Sequence, residues 1–225
     1  MSTNTEIITT NQSQSLAELA AAELAAEVTS EDLALPRLYV GQPGSEQVQA
    51  DRVPLGSLYL AVDKDDPEPI AVYEQGGPGL LIHMLAMKKV WCFTDEGGSF
   101  RVVAENSPGL TADYDYQRGY QMILCLPTFD RELPVSALFK STAIPTGKKI
   151  ITAITKSKAA PWESAFELTT VPRSNQKGRW HMPVATTVKP VAKNVKAAAA
   201  LAELIGVGRP KEVAKPEPDD EPIPY

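Results

Sequence analysis

Short apolar runs alternate with turn sequences from Leu38 to about Thr187, a pattern typical of successive β-strands. The turns are rich in glycine, proline and aspartate, as at 63–67, 76–79 and 95–98, and the last of these predicts a hairpin loop. The predicted strands are 58–62, 80–85, 89–93, 99–103, 120–126, 135–139, 149–155, 165–171 and 179–184. Their close spacing, without a long helix between them, predicts a mainly β fold, either a barrel or a sandwich.

Helical signals flank this β region. Ser15 and Glu18 form a capping-box pattern at the start of an apolar stripe, which predicts a helix through about residue 28. A second helix is predicted from Val191 to about Ile205 and is stopped by Gly206. We therefore expect a disordered N-terminus with a short helix at 1–34, a β domain at 35–190, a helix at 191–208 and a disordered acidic tail at 209–225.

The two cysteines, Cys92 and Cys125, each lie within an apolar run, which predicts buried thiols rather than a disulfide. No apolar run approaches the roughly 18 to 20 residues that span a bilayer. Residues 1–14 lack the basic and apolar regions of a signal peptide. The expected location is the cytoplasm, or the host cytoplasm if the chain is viral, and no membrane partner is expected.

Charge is distributed unevenly along the chain, whose net charge is −6. Residues 1–35 carry six acids and no base, and residues 211–225 carry five acids and two lysines. Residues 138–196 carry eleven lysines and arginines against two glutamates, a net charge of +9. A basic interior between acidic ends points to a polyanionic partner.

Patterns typical of enzymes are absent from the sequence. His83 and His181 lie far apart without a cysteine or aspartate at metal-ligand spacing, and neither a Walker loop nor a nucleophile elbow occurs. The glycine-rich stretch 76–79 lacks the lysine of a phosphate-binding loop, and the acids at 63–68 lack the spacing of a calcium loop. We therefore expect a protein that is not an enzyme and that has no metal or cofactor.

Basic and aromatic residues are interleaved through the β region, the mixture that single-stranded nucleic acid needs, because cations follow the phosphates and rings stack on the bases. Any one of these rings could instead belong to the core. Trp180, beside Arg179, is the best stacking candidate, and Lys148 and Lys149 are expected where a loop leads into a strand. The candidate nucleic-acid-binding residues are Lys88, Lys89, Trp91, Arg118, Tyr120, Lys140, Lys148, Lys149, Lys156, Lys158, Trp162, Lys177, Arg179 and Trp180.

The acidic tail ends in an apolar tip, Ile223-Pro224-Tyr225, which a tail that serves only solubility does not need. This ending resembles that of bacterial single-stranded-DNA-binding proteins, an acidic run followed by Ile-Pro-Phe, with an inserted Pro222 and tyrosine in place of phenylalanine. The start of the β region and its Gly-Lys-Lys sequence are also similar to phage members of that class. The resemblance implies an OB-fold-like barrel with peripheral helices and a tail that recruits replication or recombination proteins through Asp219, Asp220, Glu221, Ile223, Pro224 and Tyr225.

The leading hypothesis is therefore sequence-independent binding of single-stranded DNA, with recruitment of a polymerase, helicase or recombinase through the tail. The alternative is a virion-associated or other structural β protein that does not bind nucleic acid. The sequence leaves open whether the chain prefers DNA or RNA, because stacking and phosphate contacts serve both. It also leaves open whether the chain forms a homo-oligomer.

Deletion of residues 211–225 is expected to tighten binding to oligo-dT at low salt, because it removes a net charge of −3 that competes with DNA phosphates for the same cations. The same deletion should abolish recruitment of partner proteins. Fluorescence anisotropy with labelled oligo-dT measures the first effect, and an unchanged affinity would contradict competition between tail and groove.

Overall fold

The described part of the chain comprises residues 35–62, 64, 66–98, 100–105, 114–129, 133–176 and 178–206 of a computed structural model. The chain divides into two compact units, Met1–Leu35 and Pro36–Tyr225, and the elements below belong to the second. The helix expected near residues 15–28 and the acidic tail lie outside the described residues.

Nine strands of the described chain form one strongly curled sheet, so that the expected mainly β, barrel-like fold is confirmed as a half-barrel. The order across the sheet is β3-β2-β1-β7-β6-β4-β8-β9, and β5 pairs with the far half of β4. Among these pairs only β1 and β7 run parallel. The strands are β1 (Arg37–Val40), β2 (Leu58–Ala61), β3 (Ile70–Tyr73), β4 (Leu80–Thr94), β5 (Phe100–Ala104), β6 (Gln117–Cys125), β7 (Val135–Lys140), β8 (Ala165–Asn175) and β9 (Gly178–Val188).

In the described part of the chain, three α-helices accompany the sheet: α1 (Glu46–Gln49), α2 (Ile144–Ser157) and α3 (Ala192–Leu204). Short 3-10 turns lie at Ser141–Ala143 and Pro161–Glu163. The expected closing helix is confirmed as α3, whereas α1, β1 and β3 were not among the predicted elements. Within the described ranges, none of the helices combines the length and the apolar character that crossing a bilayer requires.

The prediction of a strand at 149–155 is wrong, because these residues lie in α2. Isoleucine and threonine are frequent here, and β-branched residues favour strands. However, Gly147, Ile150 and Ile154 recur at helical spacing and, with Thr146, are the buried positions of the helix. Pro145 in the first turn is compatible with a helix start. Lys148 and Lys149 therefore lie on a helix and not where a loop enters a strand.

Strand β4 is longer than expected, because it joins the two predicted strands 80–85 and 89–93. A register shift between Met84 and Ala86 marks a bulge in its pairing with β6. Met84 enters the inner core and Leu85 the outer one, as strand alternation requires, and the bulge then shifts this alternation by one residue. Beyond the bulge, Met87 again packs against the inner core.

The inner core fills the concave side of the sheet, where buried side chains of seven strands meet α2. Helix α2 approaches β6 and β7 closely at Gly147, where a Cβ atom would lie 3.1 Å from carbon atoms of both Tyr120 and Phe139. A larger residue would push the helix away from the sheet. Glycine thus brings Ile150 and Ile154 into the core, which also contains Leu58, Leu60, Tyr73, Leu80, Ile82, Met84, Met122, Leu124, Leu126, Val135, Ala137, Phe139, Phe166, Leu168 and Ala185.

Two smaller clusters cover the convex side. Leu85 and Cys125 pack against Ala198, Leu201 and Ala202 of α3. Val53, Tyr59 and Ala61 form the second cluster, and Tyr39 and Val48 pack against it. Cys92 and Cys125 are both buried thiols, as expected.

The half-barrel is closed by side chains rather than by a further strand pair. The amide of Gln42 donates to the carbonyl oxygen of His181 at 2.7 Å and accepts from its N–H at 2.8 Å. The hydroxyl of Thr146 donates to the carbonyl oxygen of Pro183 at 2.6 Å, and that of Thr170 donates to Gly56. These contacts tie β9, an edge strand, and its neighbour β8 to α2 and to the connection between β1 and β2. On β9 they occupy polar groups that an edge would otherwise expose.

Gln42→Ala is expected to lower the free energy of unfolding by about 1–3 kcal/mol, because the backbone N–H and carbonyl oxygen of His181 on β9 both lose their hydrogen-bond partner. Gln49→Ala is the matched control, since Gln49 is exposed and should change stability by less than about 0.5 kcal/mol. Urea unfolding followed by circular dichroism provides both values. Equal effects of the two substitutions would contradict a role of Gln42 in tying β9 to the connection between β1 and β2.

His83 lies fully buried on β4, and its Nδ1–H donates to the carbonyl oxygen of Trp162 at 2.8 Å. Burial lowers the pKa of His83, and hydrogen bonds to the backbone of Trp162 and Ser164 offset only part of this effect. The folded protein therefore holds a neutral imidazole at a pH where the unfolded chain, with a histidine pKa of about 6.5, already binds a proton.

Stability should consequently fall as pH is lowered through about 6.5, because protonation favours the unfolded chain. His83→Asn retains a donor near the position of Nδ1 but cannot be protonated. It should make the free energy of unfolding depend less on pH between neutral and mildly acidic conditions. Urea unfolding at several pH values measures the difference, and identical slopes for the two proteins would refute this role of His83.

Candidate nucleic-acid interface

The concave side of β4 and β6 continues beyond the part that α2 covers. Along β4 the side chains on this side are first apolar and then, past Met87, become Lys89, Trp91 and Phe93. On β6, Tyr120 lies opposite Lys89, and Arg118 lies opposite Trp91. The side chains on the concave side of β4 and β6 thus form the core at one end of these strands and a partly exposed surface at the other end.

Four aromatic rings make up this surface, here called the aromatic face: Trp91, Phe93, Tyr114 and Tyr116. Phe93 lies 4.9 Å from Tyr114 and 5.0 Å from Tyr116 between ring centroids. Trp91 meets the edge of Tyr116 at 6.1 Å. All four side chains are only partly buried, so one side of the cluster remains accessible.

Three cationic side chains share the aromatic face. The guanidinium carbon of Arg118 lies 5.1 Å from the centroid of the Trp91 ring. Arg101, which lies on β5 opposite Phe93 of β4, forms an ion pair with Asp95 at 2.8 Å. Lys89 lies 4.0 Å from a carboxylate oxygen of Glu105, at the outer limit of an ion pair. Surface pairs of this kind contribute little to stability and leave the cations available to a ligand.

The opposite side of the same strands holds a different arrangement around Lys140. Its ammonium lies 3.7 Å from the centroid of the Phe100 ring on β5, although Lys140 belongs to β7. Gly119, its neighbour on β6, leaves room for this crossing, since a Cβ there would lie 3.3 Å from Cys92 Sγ. Burial lowers the pKa of the Lys140 ammonium and raises the pKa of the Cys92 thiol. Lys140 therefore holds β5 against the sheet.

Other predicted lysines lie around the aromatic face or behind it. Lys88 points to the convex side, opposite Gln121. Lys148 and Lys149 are exposed on α2, directly after the glycine that contacts Tyr120. Lys156 and Lys158 are exposed at the far end of that helix, and Lys158 caps it with a φ of 55°.

The two other tryptophans lie away from the aromatic face. Trp162 packs against the convex cluster beneath α3. Arg179 and Trp180 lie near the tip of the β8–β9 hairpin, which extends past Leu80 at the end of β4 opposite Trp91. The structure therefore brings together Lys89, Trp91, Arg118 and Tyr120 but separates them from Trp162, Arg179 and Trp180. Lys177 and the six tail residues 219–221 and 223–225 lie outside the described residues.

Phe93, Arg101, Tyr114 and Tyr116 belong to the surface but were not among the residues selected from the sequence. A usable signal existed, because Tyr114, Tyr116, Arg118 and Tyr120 alternate with period two and therefore share one side of an extended segment. Within the described ranges, no three potential metal-ligating side chains cluster. No protein-family model, curated protein or solved structure matches this chain.

Proposed function

We propose that this protein binds single-stranded DNA without sequence preference and does so through the aromatic face. One observation carries the proposal: the concave side of β4 and β6 emerges from beneath α2 as four partly exposed rings accompanied by Arg118, Lys89 and Arg101. Exposed clusters of large aromatic side chains are uncommon on a protein surface without a partner.

The chemistry of this surface suits unpaired bases. Flat rings stack on any base at about 1–3 kcal/mol per base, and stacking does not depend on sequence. The bases of a duplex are stacked on one another and are not accessible to such rings. A curved β-sheet is a platform that many binders of single strands use.

Charge supports the same function. The cations of the aromatic face adjoin Tyr120, and the exposed Lys148 and Lys149 follow the glycine that Tyr120 contacts. Helix α2 itself has no acidic residue. A single strand that leaves the rings over Tyr120 would meet positive charge along α2. Such contacts release counterions, and so the affinity should fall as salt increases.

Recruitment completes the proposed function. The acidic segment ending in Asp219, Asp220, Glu221, Ile223, Pro224 and Tyr225 would attract replication or recombination proteins in the cytoplasm, while the β domain holds the DNA. Its charge would also compete with DNA for the basic surface. In this proposal the protein protects and presents single strands and catalyses no reaction.

Trp91→Ala is expected to weaken binding to oligo-dT by about five- to a hundredfold, the equivalent of about 1–3 kcal/mol of lost stacking. Trp180→Ala is the matched control, because Trp180 is also a partly buried tryptophan but lies near the tip of the β8–β9 hairpin, away from the aromatic face. Fluorescence anisotropy measures both affinities, and thermal unfolding verifies that each variant is folded.

Equal losses of affinity in the two variants would argue against the aromatic face as the binding surface. A gel-shift experiment with single-stranded and double-stranded oligonucleotides tests the function as a whole. We expect a salt-sensitive shift of the single strand at protein concentrations that leave the duplex free. No shift of the single strand at low salt would refute the proposed function.

A further inference from the structure

The two arginines of the aromatic face are held in different ways. Arg101 makes its ion pair with Asp95 at 2.8 Å. Arg118 has no carboxylate of the described residues at ion-pair distance, and its guanidinium lies over the Trp91 ring instead. Both side chains are exposed. The two arginines therefore differ in their partner: a carboxylate neutralises Arg101, whereas Arg118 keeps its charge and lies over an aromatic ring.

Strand pairing determines the position of Arg118. It lies directly opposite Trp91 in the β4–β6 register, so the two side chains leave the sheet on the same side and as nearest neighbours. A guanidinium is planar and weakly hydrated, and it stacks on aromatic faces. The guanidinium carbon lies over the indole at 5.1 Å from the ring centroid, and because the side chain is exposed, the guanidinium remains accessible to a ligand from the side away from the indole.

We propose that Arg118 contacts an unpaired base by stacking and does not primarily contact a phosphate. This inference rests on the proposed function and names the recognition mode of the same surface. The base would lie on the open surface of the guanidinium and extend the stack that Trp91 begins. The positive charge would face the π-electrons of both the indole and the base. Arg101, engaged by Asp95, would contribute to the electrostatic field but not to the stack.

Arg118→Lys separates the two modes, because lysine keeps the charge but lacks the planar group. We expect this variant to bind oligo-dT about five- to tenfold more weakly than the wild type, with an unchanged dependence of affinity on salt. Arg173→Lys is the matched control and should bind like the wild type, because Arg173 is also an exposed arginine opposite a tryptophan, Trp180, but lies on the β8–β9 hairpin away from the aromatic face. Both variants are surface substitutions, and thermal unfolding verifies their folding.

An oligomer of abasic sites, with the same phosphates but no bases, provides the second measurement. Wild type and Arg118→Lys should bind it equally, because no base is present to stack. Wild-type affinity of Arg118→Lys for oligo-dT, or an equal loss on oligo-dT and on the abasic oligomer, would overturn this inference alone. No binding of oligo-dT by the wild-type protein would overturn the proposed function as well.

Discussion

Gly147 is where helix α2 touches the curled sheet, and a side chain there would collide with Tyr120 and Phe139. Because the helix can come this close, Ile150 and Ile154 enter the inner core. The same approach lets the hydroxyl of Thr146 reach the backbone of β9 on the far side of the half-barrel. Helix α2 therefore fills the concave side and links β9 to β6 and β7, strands with which β9 does not pair. The barrel-like shape depends on this contact as much as on strand pairing.

The position of α2 also determines where the core ends and the candidate site begins. Tyr120 lies at this boundary, since it packs against the inner core and contacts the helix at Gly147. Beyond it, the same side of β4 and β6 carries Trp91 and Arg118, and none of the helices in the described residues lies above them. These aromatic rings thus lie on the same side of the strands as the inner core but beyond the part of the sheet that α2 covers. Such a surface retains apolar area that a ligand with flat faces can bury.

Short apolar runs separated by turn sequences were sufficient to predict a mainly β, barrel-like fold, and helical signals predicted the helix after β9. The pattern of apolar runs failed at α2, because isoleucine and threonine there satisfy both a strand pattern and a helical one, and only packing on Gly147 distinguishes them. The candidate site was partly predictable, since Trp91 and Arg118 were selected from the sequence. Their pairing depends on the β4–β6 register. The distance of Trp180 from them depends on the direction in which the β8–β9 hairpin extends. Local sequence encodes neither the register nor that direction.

Interleaved basic and aromatic residues have two different meanings in this structure. On the convex side, Lys140 lies over Phe100 in a partly buried setting that lowers the pKa of the lysine, so this cation–π pair holds β5 in place. On the concave side, Arg118 lies over Trp91 and remains exposed, so the same kind of pair presents its outer surface to a ligand. Composition cannot distinguish the two pairs, because each is one base beside one ring. Burial of the cation distinguishes them: Lys140 is partly buried and its pair with Phe100 supports the fold, whereas Arg118 is exposed and its pair with Trp91 is available for binding.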